Sequence, residues 1–173
     1  IGGTIIPAAG TYYIRVDGLS TTSTITPYHL HVRVQSGIPT AEVEPNNDLG
    51  TATPLPAAGW VSGTITATTD PDLFSFNLNA GDSVYLGLDM DPDRNPANTN
   101  WNGRVGLGVF NNTLLVANDS STTKPHAEAF FFTVQETGTY YAYVDSTVAT
   151  GLGANARYYL SVSVYPKQVQ SNC

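Results

Sequence analysis

The stretch Asp72-Leu73-Phe74-Ser75-Phe76-Asn77-Leu78-Asn79-Ala80-Gly81-Asp82-Ser83-Val84-Tyr85-Leu86-Gly87-Leu88 decides the fold. Phe74, Phe76 and Leu78 alternate with Ser75 and Asn77; after a short break, Val84, Leu86 and Leu88 alternate with Tyr85 and Gly87. In an extended chain successive side chains point to opposite faces, so each run offers one face to a core and one to water. The break, Asn79-Ala80-Gly81-Asp82, is turn chemistry: glycine takes conformations other residues avoid, and Asn and Asp cap their own backbone.

The same period recurs outward in both directions. Val105, Leu107 and Val109 alternate with glycines, and Tyr158, Leu160, Val162 and Val164 alternate with Tyr159, Ser161 and Ser163. Asn111-Asn112 and Glu136-Thr137-Gly138 punctuate the runs. No convincing amphipathic helix interrupts them. The expected fold is all-β, an antiparallel β-sandwich of jelly-roll-like type.

Composition narrows the partners. Of 173 residues, 41% are hydrophobic and only 12% charged, so the surface must be largely neutral and polar. Lys and Arg number 7 against 14 Asp and Glu, a net charge of -7, which opposes binding to nucleic acid phosphates and suits divalent cations. The single cysteine, Cys173, has no intrachain partner. No apolar run approaches the ~20 residues of a membrane helix. The opening Ile1-Gly2-Gly3 lacks a basic start, so a processed piece of a longer exported chain is expected.

An internal repeat sets the domain plan. Residues 9–17, with Gly10-Thr11-Tyr12-Tyr13-Ile14-Arg15-Val16-Asp17, match residues 137–145, with Gly138-Thr139-Tyr140-Tyr141-Ala142-Tyr143-Val144-Asp145. Further on, Tyr28-His29-Leu30-His31-Val32-Arg33-Val34 matches Tyr158-Tyr159-Leu160-Ser161-Val162-Ser163-Val164. The offsets are 128 (138 minus 10) and 130 (158 minus 28), about one domain length. Residues 1–36 therefore read as a terminal β-hairpin of a preceding copy, with Tyr12, Ile14, Val16, Leu30, Val32 and Val34 on a face to be buried. Residues 37–40 read as a linker, 41–166 as a complete sandwich, and 167–173 as a tail.

Within the complete copy an ordered set of elements carries a family resemblance. It comprises Glu42-Val43-Glu44-Pro45-Asn46-Asn47-Asp48, then Val61-Ser62-Gly63-Thr64-Ile65, then Asp70-Pro71-Asp72-Leu73-Phe74-Ser75-Phe76, then Ala80-Gly81-Asp82-Ser83-Val84, and Gly138-Thr139-Tyr140-Tyr141. The set resembles the bacterial pre-peptidase C-terminal domain family, over about residues 41–166. The resemblance implies a non-catalytic module of a secreted or surface protein. It also implies kinship with the calcium-dependent collagen-binding modules of secreted collagenases.

Several residue groups could carry chemistry. In an extended segment Glu42, Glu44 and Asn46 point the same way, and Asp70 and Asp72 share a spacing of two, so two facing edges could enclose one ion. Calcium takes six to eight oxygen ligands from such groups; the same residues also serve as caps of a solvated acidic turn. By resemblance, Glu42, Glu44, Asn46, Asp70 and Asp72 match the calcium positions of the related modules, with the ligand role of Asp70 versus Asp72 left open. Asp89-Met90-Asp91-Pro92-Asp93-Arg94-Asn95 begins like a calcium loop but has Arg94 where a sharp turn needs glycine, and reads as a polar loop. His29 and His31 share a strand face without a third ligand. No nucleophile elbow or zinc-hydrolase motif occurs, so no enzyme activity is expected.

Ten tyrosines complete the picture, and alternation sends Tyr141, Tyr143, Tyr159 and Tyr165 outward. Tyrosine offers apolar area with a hydroxyl, suited to a protein or glycan surface. The functional expectation is an extracellular or cell-surface module, calcium-stabilised, mediating binding or attachment. The alternative is a structural repeat of an extracellular filament or surface layer, joined through neighbouring copies of itself.

Overall fold

The computed structural model describes residues 6–18, 20, 27–28, 30–92, 94–95, 97, 100–109, 114–119 and 127–167. The chain divides into two compact units, one spanning Thr4–Gly37 and the other made of Ile38–Cys173 with Ile1–Gly3. The larger unit carries ten strands: β1 (Thr40–Ala41), β2 (Thr53–Pro54), β3 (Trp60–Thr64), β4 (Asp72–Leu78), β5 (Ser83–Asp89), β6 (Arg104–Val109), β7 (Leu114–Asn118), β8 (Ala127–Thr133), β9 (Gly138–Asp145) and β10 (Arg157–Tyr165). There is no helix among the described residues.

The strands form two five-stranded sheets, ordered β1-β3-β10-β5-β8 and β2-β4-β9-β6-β7. Eight of the strands pair antiparallel, as the alternation implies. The two-residue edge strands β1 and β2 instead run parallel to β3 and β4, so both sheets are mixed. Very short edge strands leave little unpaired backbone for a foreign strand to join.

The alternating residues face one another across the gap between the sheets. Val61, Leu86 and Leu160 from one sheet meet Phe74, Leu107 and Ala142 from the other in a single buried cluster. Trp101 and Met90 extend this cluster, with the Gly103 N–H donating to Met90 Sδ at 3.0 Å.

The Asn79–Asp82 turn does not make a hairpin, because β4 and β5 lie in different sheets. The chain crosses the core at this point. Asp82 holds the crossing: its Oδ2 accepts from Asn79 N (2.8 Å) and its Oδ1 from Lys167 N (3.1 Å). Gly81, at φ 90, sits in left-handed backbone that favours glycine. Strands β9 and β10 are likewise in opposite sheets, each central: β9 between β4 and β6, β10 between β3 and β5.

No strand is present among the described residues of the Thr4–Gly37 unit. The expected buried side chains are exposed, Ile14 at 58%, Leu30 at 53% and Val34 at 80%. In sequence, residues 10–17 and 28–34 match stretches of β9 and β10, which lie in different sheets and do not pair with each other. Two strands without further partners are at best marginal in water.

Core position should dominate the energetics. Phe74→Ala, in a fully buried site, is expected to cost about 3–5 kcal/mol. Phe131→Ala, half exposed on edge strand β8, should cost about 1 kcal/mol or less. Urea denaturation of the two variants measures the contrast.

Candidate metal site

The acidic segment is held against the start of β4 by backbone bonds. Glu42 follows β1 directly, and its N–H donates to the Ser62 carbonyl at 2.9 Å. Four residues on, the Asn46 carbonyl accepts from Leu73 N at 3.0 Å, one residue from Asp72. The Glu44–Pro45 peptide bond between them is cis. These anchors converge the side chains: one carboxylate oxygen from each of Glu42, Glu44 and Asp72 lies within 4.8 Å of the others.

Each acid has a defined second role. Glu42 Oε1 accepts from Thr64 N (2.8 Å), which leaves Oε2 turned to the site. Glu44 Oε2 accepts from Asn46 N (3.1 Å). Tyr158, fully buried on β10, brings its hydroxyl to 2.5 Å from Asp72 Oδ2 and 3.0 Å from Glu42 Oε2. A phenol has one proton to donate, so it satisfies one carboxylate oxygen at a time. The other short contact calls for a second proton or a cation.

The electrostatics agree with that count. Burial, reinforced by the hydrogen bond and charge of Glu42, pushes the Asp72 carboxyl up to about 10, against the opposing pull of the Tyr158 hydrogen bond. Burial also raises Glu44, opposed by the Asn46 N–H, with the negative charges of Glu42 and Asp70 adding to the rise. Burial above all, then the charges of Asp72 and Glu42, holds the Tyr158 phenol well above its ordinary value. No Lys or Arg is among the causes at any of the three groups.

Two further observations bear on whether an ion fits. The Asn46 side chain is completely buried, yet neither its Oδ1 nor its Nδ2 meets a protein partner, and the same holds for Asp72 Oδ1. Buried polar atoms without partners are costly and call for a ligand. Gly63 forms one wall: a Cβ built there would overlap Glu42 Oε2 and the Tyr158 ring and hydroxyl. The three clustered groups are carboxylates, hard oxygen donors of the kind that suits calcium better than transition metals.

Of the five residues expected to hold a metal, Glu42, Glu44 and Asp72 bring carboxylate oxygens within 4.8 Å of one another, and the Asn46 N–H donates to Glu44 Oε2. Asp70 is committed elsewhere. Its Oδ1 accepts from Asn47 Nδ2 (3.0 Å), and its Oδ2 caps the turn through Thr66 N (2.9 Å) and Thr66 Oγ1 (2.5 Å). Sequence reasoning missed Tyr158 and Gly63. A signal for Tyr158 was present, since the repeat carries tyrosine at both 28 and 158.

The four tyrosines divide between the two faces of the sandwich. Tyr141 and Tyr143 are on β9, in one sheet; Tyr159 and Tyr165 are on β10, in the other. Tyr141 is buried, opposite Ser75 and Gly108 in the ladder. Tyr143 lies over Gly106, where a Cβ would strike its ring, and beneath the Arg104 guanidinium, 5.7 Å from the ring centre. Burial pushes the Tyr143 phenol up to about 12. Arg104 in turn makes a paired bond to Asp145, Nε to Oδ1 at 2.8 Å and Nη2 to Oδ2 at 2.5 Å. On the other face Tyr159 meets Trp60 edge-on, with centroids 5.6 Å apart, and Tyr165 lies 5.8 Å from Phe131.

The Asp89–Asn95 loop forms its own internal pair: Arg94 donates to Asp89 Oδ1 at 2.8 Å and to the Asp91 carbonyl. Asp93, His29, His126 and Cys173 lie outside the described residues.

No protein-family model matches the chain, and no curated protein matches it. Among solved structures it is similar to the pre-peptidase C-terminal domain of a collagenase from Bacillus anthracis, at 15% identity over 65% of this chain and 94% of that one, TM-score 0.44. It is also similar to PliG from Aeromonas hydrophila, a periplasmic inhibitor of g-type lysozyme, at 14% identity over 65% of this chain and 95% of that one, TM-score 0.44. The likeness is one of fold. No helix among the described residues is long and apolar enough to cross a membrane.

The raised Asp72 value gives a pH dependence with a definite sign. Its folded value, about 10, lies above the unfolded value near 3.9, so the folded state binds the proton more tightly. That contribution is complete below about pH 4 and is lost as pH rises toward 10. In chelator, the melting temperature should fall between pH 5 and 8. Asp72→Asn, which has no proton to lose, should flatten that slope in a calorimetric series.

Proposed function

We propose that the unit beginning at Ile38 is a non-catalytic extracellular β-sandwich module that binds one calcium ion for stability and serves in binding or attachment. The observation that carries this reading is the convergence of Glu42, Glu44 and Asp72, with Asn46, whose N–H donates to Glu44 Oε2, holding a buried side-chain amide without a protein partner. Three carboxylates drawn together, with Asp72 buried, disfavour one another's charge; a divalent cation reverses that repulsion.

The residues that would hold the ion are Glu42, Glu44, Asp72 and Asn46. The ion would supply positive charge that ties the segment after β1 to the start of β4, joining an edge of one sheet to the other sheet. Tyr158 orients Glu42 and Asp72 from the core side, and Thr64 N fixes the other oxygen of Glu42. Extracellular modules use calcium sites of modest affinity, with dissociation constants of about 10⁻⁴–10⁻³ M. Surface acidity and sparse lysine are consistent with that setting.

The contact surface on this reading is the outer face of the β1-β3-β10-β5-β8 sheet. Trp60 and Tyr159 sit there as one aromatic pair, Phe131 and Tyr165 as another. Aromatic side chains on a flat sheet present large rigid areas to a protein or glycan at small entropic cost.

Calcium at a hundred times its dissociation constant should stabilise the module by about 2.7 kcal/mol. For a domain of this size that raises the melting temperature by roughly 10 °C relative to excess chelator. Asp72→Ala and Gly63→Ala should each abolish the calcium-dependent rise, the first by removing a ligand and the second by filling the site. Equal melting temperatures of the unaltered protein in calcium and chelator would exclude the site.

A further inference from the structure

The Thr4–Gly37 unit presents apolar side chains in a fixed pattern. Tyr12, Ile14 and Val16 are 51%, 58% and 41% exposed, and Tyr28, Leu30 and Val32 are 55%, 53% and 50% exposed. Their matches at offsets of 128 and 130 are Tyr140, Ala142 and Val144 on β9, and Tyr158, Leu160 and Val162 on β10. All six of those are buried in the sandwich core. The exposed set is thus the inward-facing set of two central strands, displayed without the strands that flank them.

Polar residues extend the correspondence. Asp17 matches Asp145, which takes the paired bond from Arg104 on β6. In the present structure Asp17 pairs with Arg15 of its own segment. Tyr28 matches Tyr158, whose hydroxyl sits between Asp72 at the start of β4 and Glu42 after β1. The absent surroundings therefore have specified chemistry: an arginine opposite Asp17 and a carboxylate pair opposite Tyr28.

We propose that residues 10–17 and 28–34 are the last two strands of a second sandwich of the same fold, and that their occupant is a stretch of the same polypeptide preceding Ile1 that supplies the counterparts of β1 to β8. The two segments enter opposite sheets of that sandwich, each as a central strand, rather than docking together as a hairpin. A second copy of the 38–167 unit does not suit them, because its β9 and β10 already fill both central positions. The chain then holds two consecutive sandwiches joined by the short stretch around Gly37–Pro39, independently of whether either binds calcium.

Trypsin tests this at Arg15 and Arg33. In the 173-residue chain both bonds should be cut rapidly. In a polypeptide extended by the ~130 residues that precede Ile1 in its reading frame, a central strand must unfold before cleavage, so cutting should slow at least a hundredfold. Ile14→Asp and Leu30→Asp in the longer polypeptide should restore rapid cutting while bonds within residues 38–167 stay protected. Tyr28→Phe there should lower one melting transition and leave the other unmoved. Undiminished cleavage in the longer polypeptide overturns the proposal, as does a preceding sequence without the alternating strands. Protection of the 173-residue chain that grows with its concentration also overturns it, by identifying a second copy as the occupant.

Discussion

A buried phenol hydroxyl set between two carboxylates ties the two sheets together at one end. Tyr158 stands on β10, Asp72 at the start of β4 in the opposite sheet, and Glu42 just after β1. An aliphatic core is indifferent to small slips of one sheet over the other; a hydrogen-bonded triad of this kind is not, because each oxygen has one place where its cost of burial is offset. The register of β10 on β3 then places Gly63 beside Tyr158, leaving room for the acid side chains where any larger residue would intrude.

The same arrangement creates an electrostatic problem that defines the site. Apolar packing requires Tyr158 to be inside, and the hydroxyl draws Asp72 and Glu42 in with it. Burial then penalises the negative charge that Asp72 carries in water. Protonation of Asp72 is one release, and it weakens as pH rises. A cation is another, and it is available in calcium-rich surroundings. On the proposed reading, stability and cation binding meet in one set of atoms.

Topology connects the site to the Thr4–Gly37 unit. Consecutive strands here mostly alternate between sheets, so β9 and β10, neighbours in sequence, face each other across the core instead of pairing. Among the described residues, β6 and β7 are the only consecutive strands hydrogen-bonded to each other. On the proposal that residues 10–17 and 28–34 are the last two strands of a second sandwich, they need flanking strands in two sheets at once; no strand is present among the described residues of that unit, although its sequence alternates as the complete copy does.

The sequence by itself determined which residues are extended, which side of each strand is apolar, and that the whole is a two-layer β-structure. Period-two alternation and turn residues are local, and they are written in each run separately, as in residues 72–88. It also singled out Glu42, Glu44, Asn46, Asp70 and Asp72, because side chains spaced by two on extended chain share a face; of these, Glu42, Glu44 and Asp72 cluster their carboxylates. Only the tertiary structure decided which sheet each strand joins, since alternation is identical for a hairpin and for a crossing of the core. That choice separates Tyr141 and Tyr143 from Tyr159 and Tyr165, commits Asp70 to its own turn, and adds Tyr158 from more than eighty residues away in sequence. Such pairings depend on long-range packing of the apolar faces, for which no local signal in the chain exists.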